Sequence, residues 1–196
     1  MAEFIREAVI GTLDAAGEAH LTPLGYRQRG EHVLLAPFHP SQTLANLRAT
    51  RAAVLNFTDD VRVVAGCLTG RRGWPTVPAE RVAVPRLAAS LAHWELEVIE
   101  VREDSQRPEF TCRVVVERMH APFTGFNRAQ AAVIEAAVLV SRLDWLEPDA
   151  VVDALLRLRV AVDKTAGPHE REGWKWLCEA VSRHPRYCAL TGRLAS

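Results

Sequence analysis

Residues 37–61 read PFHPSQTLANLRATRAAVLNFTDDV. Pro37 and Pro40 offer no backbone N–H, so they break the strand before them, and Ser41 stands where a helix begins. The residues after Ser41 predict that helix, and Ala52 to Thr58 predicts the strand that follows it. Ser41, Thr43 and Asn46 fall in the first helical turns or just before them, where backbone N–H groups lack intrahelical partners and the helix dipole favours an anion. A capping serine with Asn46 facing solvent accounts for this pattern without a ligand. The other reading is a phosphate monoester, its charge offset by Arg48, Arg51 or an arginine from elsewhere, though spacing alone favours the plain cap.

Upstream, residues 8–27 read AVIGTLDAAGEAHLTPLGYR, two β-like runs joined by Asp14-Ala15-Ala16-Gly17, which predicts a hairpin. His32 to Phe38 predicts a third strand after the Arg29-Gly30-Glu31 turn. Within Thr22-Pro23-Leu24-Gly25-Tyr26, Pro23 removes a ladder donor and Gly25 permits close backbone approach. That combination marks an edge or bulge, or a place where a flat ring lies.

Downstream, Asn56-Phe57-Thr58-Asp59-Asp60 closes a strand and caps a short helix, Val61 to Leu68; its polar groups also suit the amide edge of a heterocycle. Residues 70–78 read as a loop. Trp94, Leu96 and Val98 alternate with Glu95 and Glu97, and Phe110, Cys112, Val114 and Val116 alternate likewise, predicting two half-buried antiparallel strands.

Beyond Met119 the pattern becomes helical. Asn127 and Gln130 form an N-cap pair ahead of a helix running to about Leu143, Pro148 opens another, and Gly167-Pro168 separates it from a last one containing Trp174, Leu177 and Val181. The fold class is therefore mainly β with C-terminal helices: a barrel-like body over residues 1–122 and a helical extension over 123–196, expected to pack on the barrel or a partner subunit. Arg128, Glu135 and Arg142 recur every seven residues along one helix stripe, either a solvated face or a polar seam toward Lys164. Lys164 reads as a partner of a helix C-terminus rather than a base, and Trp145, Trp174 and Trp176 as packing.

Composition narrows the function classes. The 196 residues carry 24 basic and 24 acidic side chains, so no net charge draws the chain to nucleic acid or to an anionic membrane surface. Four scattered cysteines and the lack of a secretory apolar segment point to a reduced, cytoplasmic protein, and no apolar run is long enough to span a bilayer. The chain contains no G-x-G-x-x-G, no G-x-x-x-x-G-K-[ST] and no G-x-S-x-G, and its seven histidines show no zinc-ligand spacing. Neither a metal site nor a catalytic side chain is therefore nominated.

In chain order, Ile10-Gly11-Thr12-Leu13, Thr22-Pro23-Leu24-Gly25, Pro37-Phe38 with Ser41-Gln42-Thr43, Asn46-Leu47, Asn56-Phe57-Thr58-Asp59-Asp60, Phe126-Asn127-Arg128-Ala129, Ile134-Glu135-Ala136-Ala137, Ser141-Arg142-Leu143 and Asp163-Lys164-Thr165 form a pattern. It resembles the FMN-binding split-barrel superfamily, and within it a flavin-reductase-like family of unknown function. The resemblance implies a six-stranded antiparallel split β-barrel that holds FMN non-covalently at a homodimer interface. Carried over, Thr22 and Gly25 line the ring, Ser41, Thr43 and Asn46 the phosphate side, and Asn56 with Thr58 the polar edge. It further implies an oxidoreductase or flavin reductase moving electrons or hydride between small-molecule donor and acceptor. The alternatives are a non-catalytic flavin- or pterin-binding module and a partner-assembly protein.

Overall fold

In the computed structural model, which describes residues 4–190 and 192–195, the first hairpin is set by its turn. Asp14 Oδ1 accepts the N–H groups of Ala16 and Glu18 at 2.8 and 2.9 Å, and Gly17 takes φ 81°, a left-handed value that suits a residue without a Cβ. Arg6–Leu13 (β1) and Ala19–Arg29 (β2) pair antiparallel from Arg6↔Tyr26 to Leu13↔Ala19. His32–Leu35 (β3) pairs with Tyr26–Arg29 only, which leaves Ala19–Gly25 paired with β1 alone. Pro23, with no N–H to give, lies on that edge.

The third strand ends at Leu35 rather than Phe38. The chain leaves the ladder at Ala36, whose carbonyl accepts two bonds from Arg107, and His39 N–H donates to Gln106 O at 2.8 Å. Gln42–Thr50 (α1) follows, capped by Ser41, and Ala52–Phe57 (β4) returns alongside β1. Ala92–Arg102 (β7) and Glu109–Met119 (β8) complete a closed barrel in the order β1-β2-β3-β8-β7-β4, while Thr76–Val77 (β5) and Arg86–Leu87 (β6) form a short ribbon where the sequence predicts only loop. Ile10, Leu35, Leu47, Leu55, Leu96 and Phe110 fill the barrel core.

Two irregularities in the β7–β8 pairing re-aim side chains. Glu95 pairs with Val116 but Leu96 pairs with Val114, so Val115 is an extra residue and the even-numbered positions of β8 change face there. Phe110 and Cys112 point into the core with Val114 against it, whereas Val116 lies with Glu95, away from the core cluster. The uniform alternation from Phe110 to Val116 read from sequence is thus broken. Glu95, expected on a polar outer face, is fully buried beneath the backbone of Glu80–Val82.

Two compact units result: residues up to Thr58 with Trp74–Phe123, and Asp59–Gly73 with the residues from Thr124 onward. Asp59–Gly73, which sequence assigned to the barrel, therefore groups with the helices. The second unit contains Val61–Leu68 (α2), Arg128–Val140 (α3), Pro148–Thr165 (α4) and Pro168–Arg183 (α5), then a 3₁₀ segment Pro185–Leu190 and a short helix Gly192–Ala195 (α6). Its core joins Val61, Val133, Val152, Leu155, Leu177 and Tyr187, and Gly173 lets α5 approach closely, since a Cβ there would sit 3.4 Å from that of Ala65. Asn127 caps α3 as predicted, but Gln130 does not reach back to it; its amide donates to Glu170 instead, and Thr165 Oγ1 shares the Ala129 N–H with Asn127. Arg128, Glu135 and Arg142 are exposed, as is Trp145, which therefore does not pack as expected. Lys164 stands in the last turn of α4.

Candidate functional site

The Ser41 turn is built by local rules. Ser41 is extended (φ −151°, ψ 152°), and its Oγ accepts the Leu44 N–H at 3.2 Å, so the hydroxyl keeps its own proton to donate. The N–H groups of Gln42 and Thr43 lie in the same first turn, where the helix supplies no acceptor for them. Thr43 is buried and Ser41 half-buried.

The arginines suggested by sequence lie at the other end of α1. Arg48 pairs with Glu103 at 2.6 Å, and Arg51 closes the helix at φ 56° while donating to Val98 O at 3.1 Å. Arg48 is seven residues along from Ser41, a rise of about 10 Å. Arg107 is fixed on the segment that leads into the turn: its Nε and Nη2 hold Ala36 O at 3.1 and 2.9 Å, and its guanidinium covers the Phe38 ring at 4.2 Å. Nothing local in the sequence signals it, because the two segments are 71 residues apart.

Asn46 neither faces solvent nor presents a free amide. Its Nδ2 donates to Thr12 Oγ1 at 3.0 Å and its Oδ1 accepts Gln42 Nε2 at 2.7 Å, so it ties α1 to β1. Asn56 is likewise engaged within the protein: Nδ2 donates to Val9 O and Val54 O at 3.1 and 3.3 Å, and Oδ1 accepts Leu87 N–H at 2.7 Å. Thr58 Oγ1 donates to Ala89 O at 3.2 Å. Thr22, half-buried, pairs with Ile10, and the space a side chain would take at Gly25 is met by Ile5, whose Cγ2 would stand 2.8 Å from an added Cβ. The close approach at Gly25 is therefore made by the protein's own chain. Trp94 meets Tyr26 and Phe57 edge to face, Tyr26 and Phe57 are tilted against each other, and burial pushes the Tyr26 hydroxyl pKa up against the lowering charge of Arg6.

The donors that remain are those of the Ser41 turn: first-turn N–H groups, a hydroxyl and a neighbouring guanidinium. That set fits a dianionic phosphate monoester. Ser41 keeps a hydroxyl proton to donate, Thr58 spends its own on Ala89 O, and Asn46 and Asn56 act as struts. Among the described residues no cluster of metal-ligating side chains occurs, and no helix is long and apolar enough to cross a membrane.

Comparison with protein-family models gives a match over residues 6–121 to the N-terminal domain of DUF447, a protein of unknown function, and over residues 127–179 to its C-terminal part. The chain belongs to the DUF447 family. Among solved structures, this DUF447 chain is similar to an FMN-bound DUF447 protein from Methanosarcina mazei, at 19% identity and a TM-score of 0.79, covering 91% of this chain and 96% of the other. A 2-nitrobenzoate 2-nitroreductase from Pseudomonas fluorescens aligns at 19% identity and TM-score 0.51, over 61% of this chain and 66% of that one. Flavoredoxin from Methanosarcina acetivorans aligns at 13% identity and TM-score 0.51, over 59% and 69%. These likenesses establish the split-barrel fold for the DUF447 chain. No curated protein matches it.

Proposed function

We propose that this protein binds FMN, with the phosphate at the Ser41 turn, and that it is a flavin-reductase-like oxidoreductase working as a cytoplasmic homodimer. The observation that carries this reading is the near full-length likeness to an FMN-bound member of the same family, combined here with a donor set suited to a phosphate. When bound, the flavin supplies the electron and hydride chemistry, and the protein supplies binding and orientation. Ser41, the first-turn N–H groups of α1 and Arg107 hold the anionic end. Asn46 and Asn56 work at one remove, fixing α1 to β1 and Leu87 to β4, so that Thr22 and Thr58 stay in place on the ring side.

The test is direct. Protein purified without added cofactor is yellow, releases FMN on denaturation as identified by mass, and is bleached by NADH or NADPH under anoxic conditions. Colourless protein that fails to take up added FMN refutes the cofactor assignment. Flavin reduced by dithionite but by neither nicotinamide refutes a nicotinamide-dependent reductase and favours a non-catalytic flavin-binding module.

A further inference from the structure

A second polar constellation lies on the outer face of β7 and β8, away from the barrel core. His93 and Glu95, two residues apart on β7, share that face, and the bulge at Val115 brings the last residues of β8 to it. His120 follows β8, its N–H and that of Ala121 both donating to Leu91 O at 2.7 and 3.0 Å. His93 Nε2 lies 3.3 Å from Glu95 Oε1, and His93 Nδ1 lies 2.9 Å from His120 Nε2. The imidazole planes are within 8° of parallel and their centroids 5.0 Å apart, which is the N–N separation plus roughly a ring radius at each end. The rings therefore meet edge to edge, nearly in one plane, as an in-plane N–H···N bond requires, rather than face to face.

Hydrogen-bond logic fixes the tautomers. Burial pushes the Glu95 carboxyl pKa up, but N–H groups of Glu80, Val82 and Arg81 and the His93 bond outweigh it and hold the group below the usual range, as a carboxylate. A carboxylate only accepts, so His93 Nε2 carries a proton; neutral His93 then has a lone pair on Nδ1, and His120 Nε2–H donates to it. His120 Nδ1 is left with a lone pair on a surface residue, while His93 and Glu95 are buried.

We propose that Glu95, His93 and His120 form a proton relay that opens to solvent at His120 and serves as an acid–base site for a small, weakly acidic O–H or N–H compound. The donor's bond to hydrogen breaks with its electron pair left on the donor, and the proton binds His120 Nδ1. The proton on His120 Nε2 passes to His93 Nδ1, giving an imidazolium beside the Glu95 carboxylate and a neutral His120 of the other tautomer. Arg86, a charge neighbour of His120, favours the anion the donor becomes. The other charged groups on this face are Glu80 and Arg118, paired at 2.7 Å. Desolvation first, then the charge of Arg86, lowers the His120 pKa against the opposing charge of Glu80, which keeps Nδ1 unprotonated at neutral pH and free to accept. The relay stands apart from the flavin reading and is measurable in flavin-loaded or flavin-free protein alike.

Long-range ¹H–¹⁵N spectra of histidine-labelled protein test it. Near neutral pH both rings are Nε2–H tautomers. A ¹⁵N–¹⁵N coupling across the hydrogen bond links His120 Nε2 with His93 Nδ1. His120→Gln, at a surface position where folding is not at stake, removes that coupling and shifts the His93 Nδ1 resonance. An Nδ1–H tautomer at His93, no coupling between the two rings, or a His93 spectrum unchanged in His120→Gln overturns the relay.

Discussion

Replacing Asn56 by alanine distinguishes a strut from a ligand contact. In the native barrel its amide spends both donors on Val9 O and Val54 O and its carbonyl accepts Leu87 N–H, all at a fully buried position. Three such bonds, each worth about 0.5–1.5 kcal/mol net, together with the penalty of leaving the Leu87 N–H buried and unmet, put the expected loss near 3 kcal/mol. Urea unfolding of the flavin-free protein, followed by tryptophan fluorescence, measures it. With a slope of about 2 kcal/mol/M, the barrel transition moves down by about 1.5 M. Asn56→Asp is expected to be at least as damaging, because it keeps the acceptor for Leu87 but sets a buried carboxylate against two carbonyl oxygens. A loss under about 0.5 kcal/mol in flavin-free protein, accompanied by a large drop in FMN affinity, would refute the reasoning. It would make Asn56 a cofactor contact that the protein alone does not need.

Ser41→Ala combined with Thr43→Ala weakens FMN at least about tenfold more than riboflavin, a difference of about 1.4 kcal/mol read by flavin fluorescence titration, and Arg107→Ala acts in the same direction without removing the cap. Equal losses for the two flavins place the phosphate elsewhere. At Asp60, burial raises the carboxyl pKa, but bonds and charge from Arg62 with the charge of His169 outweigh it and lower it. The stabilisation is therefore complete above the ordinary carboxylate value of about 4 and is lost as pH falls through the lower folded value. Thermal melts of the helical unit lose that acid-limb dependence in Asp60→Asn; an unchanged acid limb refutes the assignment. Burial pushes Cys112 up to about 12 and Cys178 up to about 11, so a thiol reagent at neutral pH labels exposed Cys188 in the folded protein and the other two only on unfolding, as peptide mass mapping records.

Features written in neighbouring residues were legible without the structure. The Asp14–Gly17 turn, the Ser41, Asp60 and Asn127 caps and the proline at the start of α4 all act within four residues of themselves, so their types and spacing suffice. The barrel was legible for a related reason: strands of alternating character joined by short turns leave few ways to bury one face. The β5–β6 ribbon escaped notice because two-residue strands carry no periodicity.

The candidate sites divide along the same line. Ser41 was found because a cap is local, whereas Arg107 was not, because its place beside Ala36 exists only once β3 and β8 are paired. Asn46 and Asn56 were recognised as polar residues in telling positions, but their partners Thr12, Val9 and Leu87 lie on other strands, and only the closed barrel spends their amides. Glu95 was read as solvent-facing from its alternation with Leu96. The backbone of Glu80–Val82 covers that carboxylate on the outer face and makes it a buried acceptor that also meets His93. Sequence alone determined most of the elements and their caps, since these follow from short-range spacing, and the kind of barrel came from the resemblance to a known family. Tertiary structure alone decided which polar groups remain available for chemistry, because hydrogen bonds made across strands consume donors and acceptors that no local pattern can count.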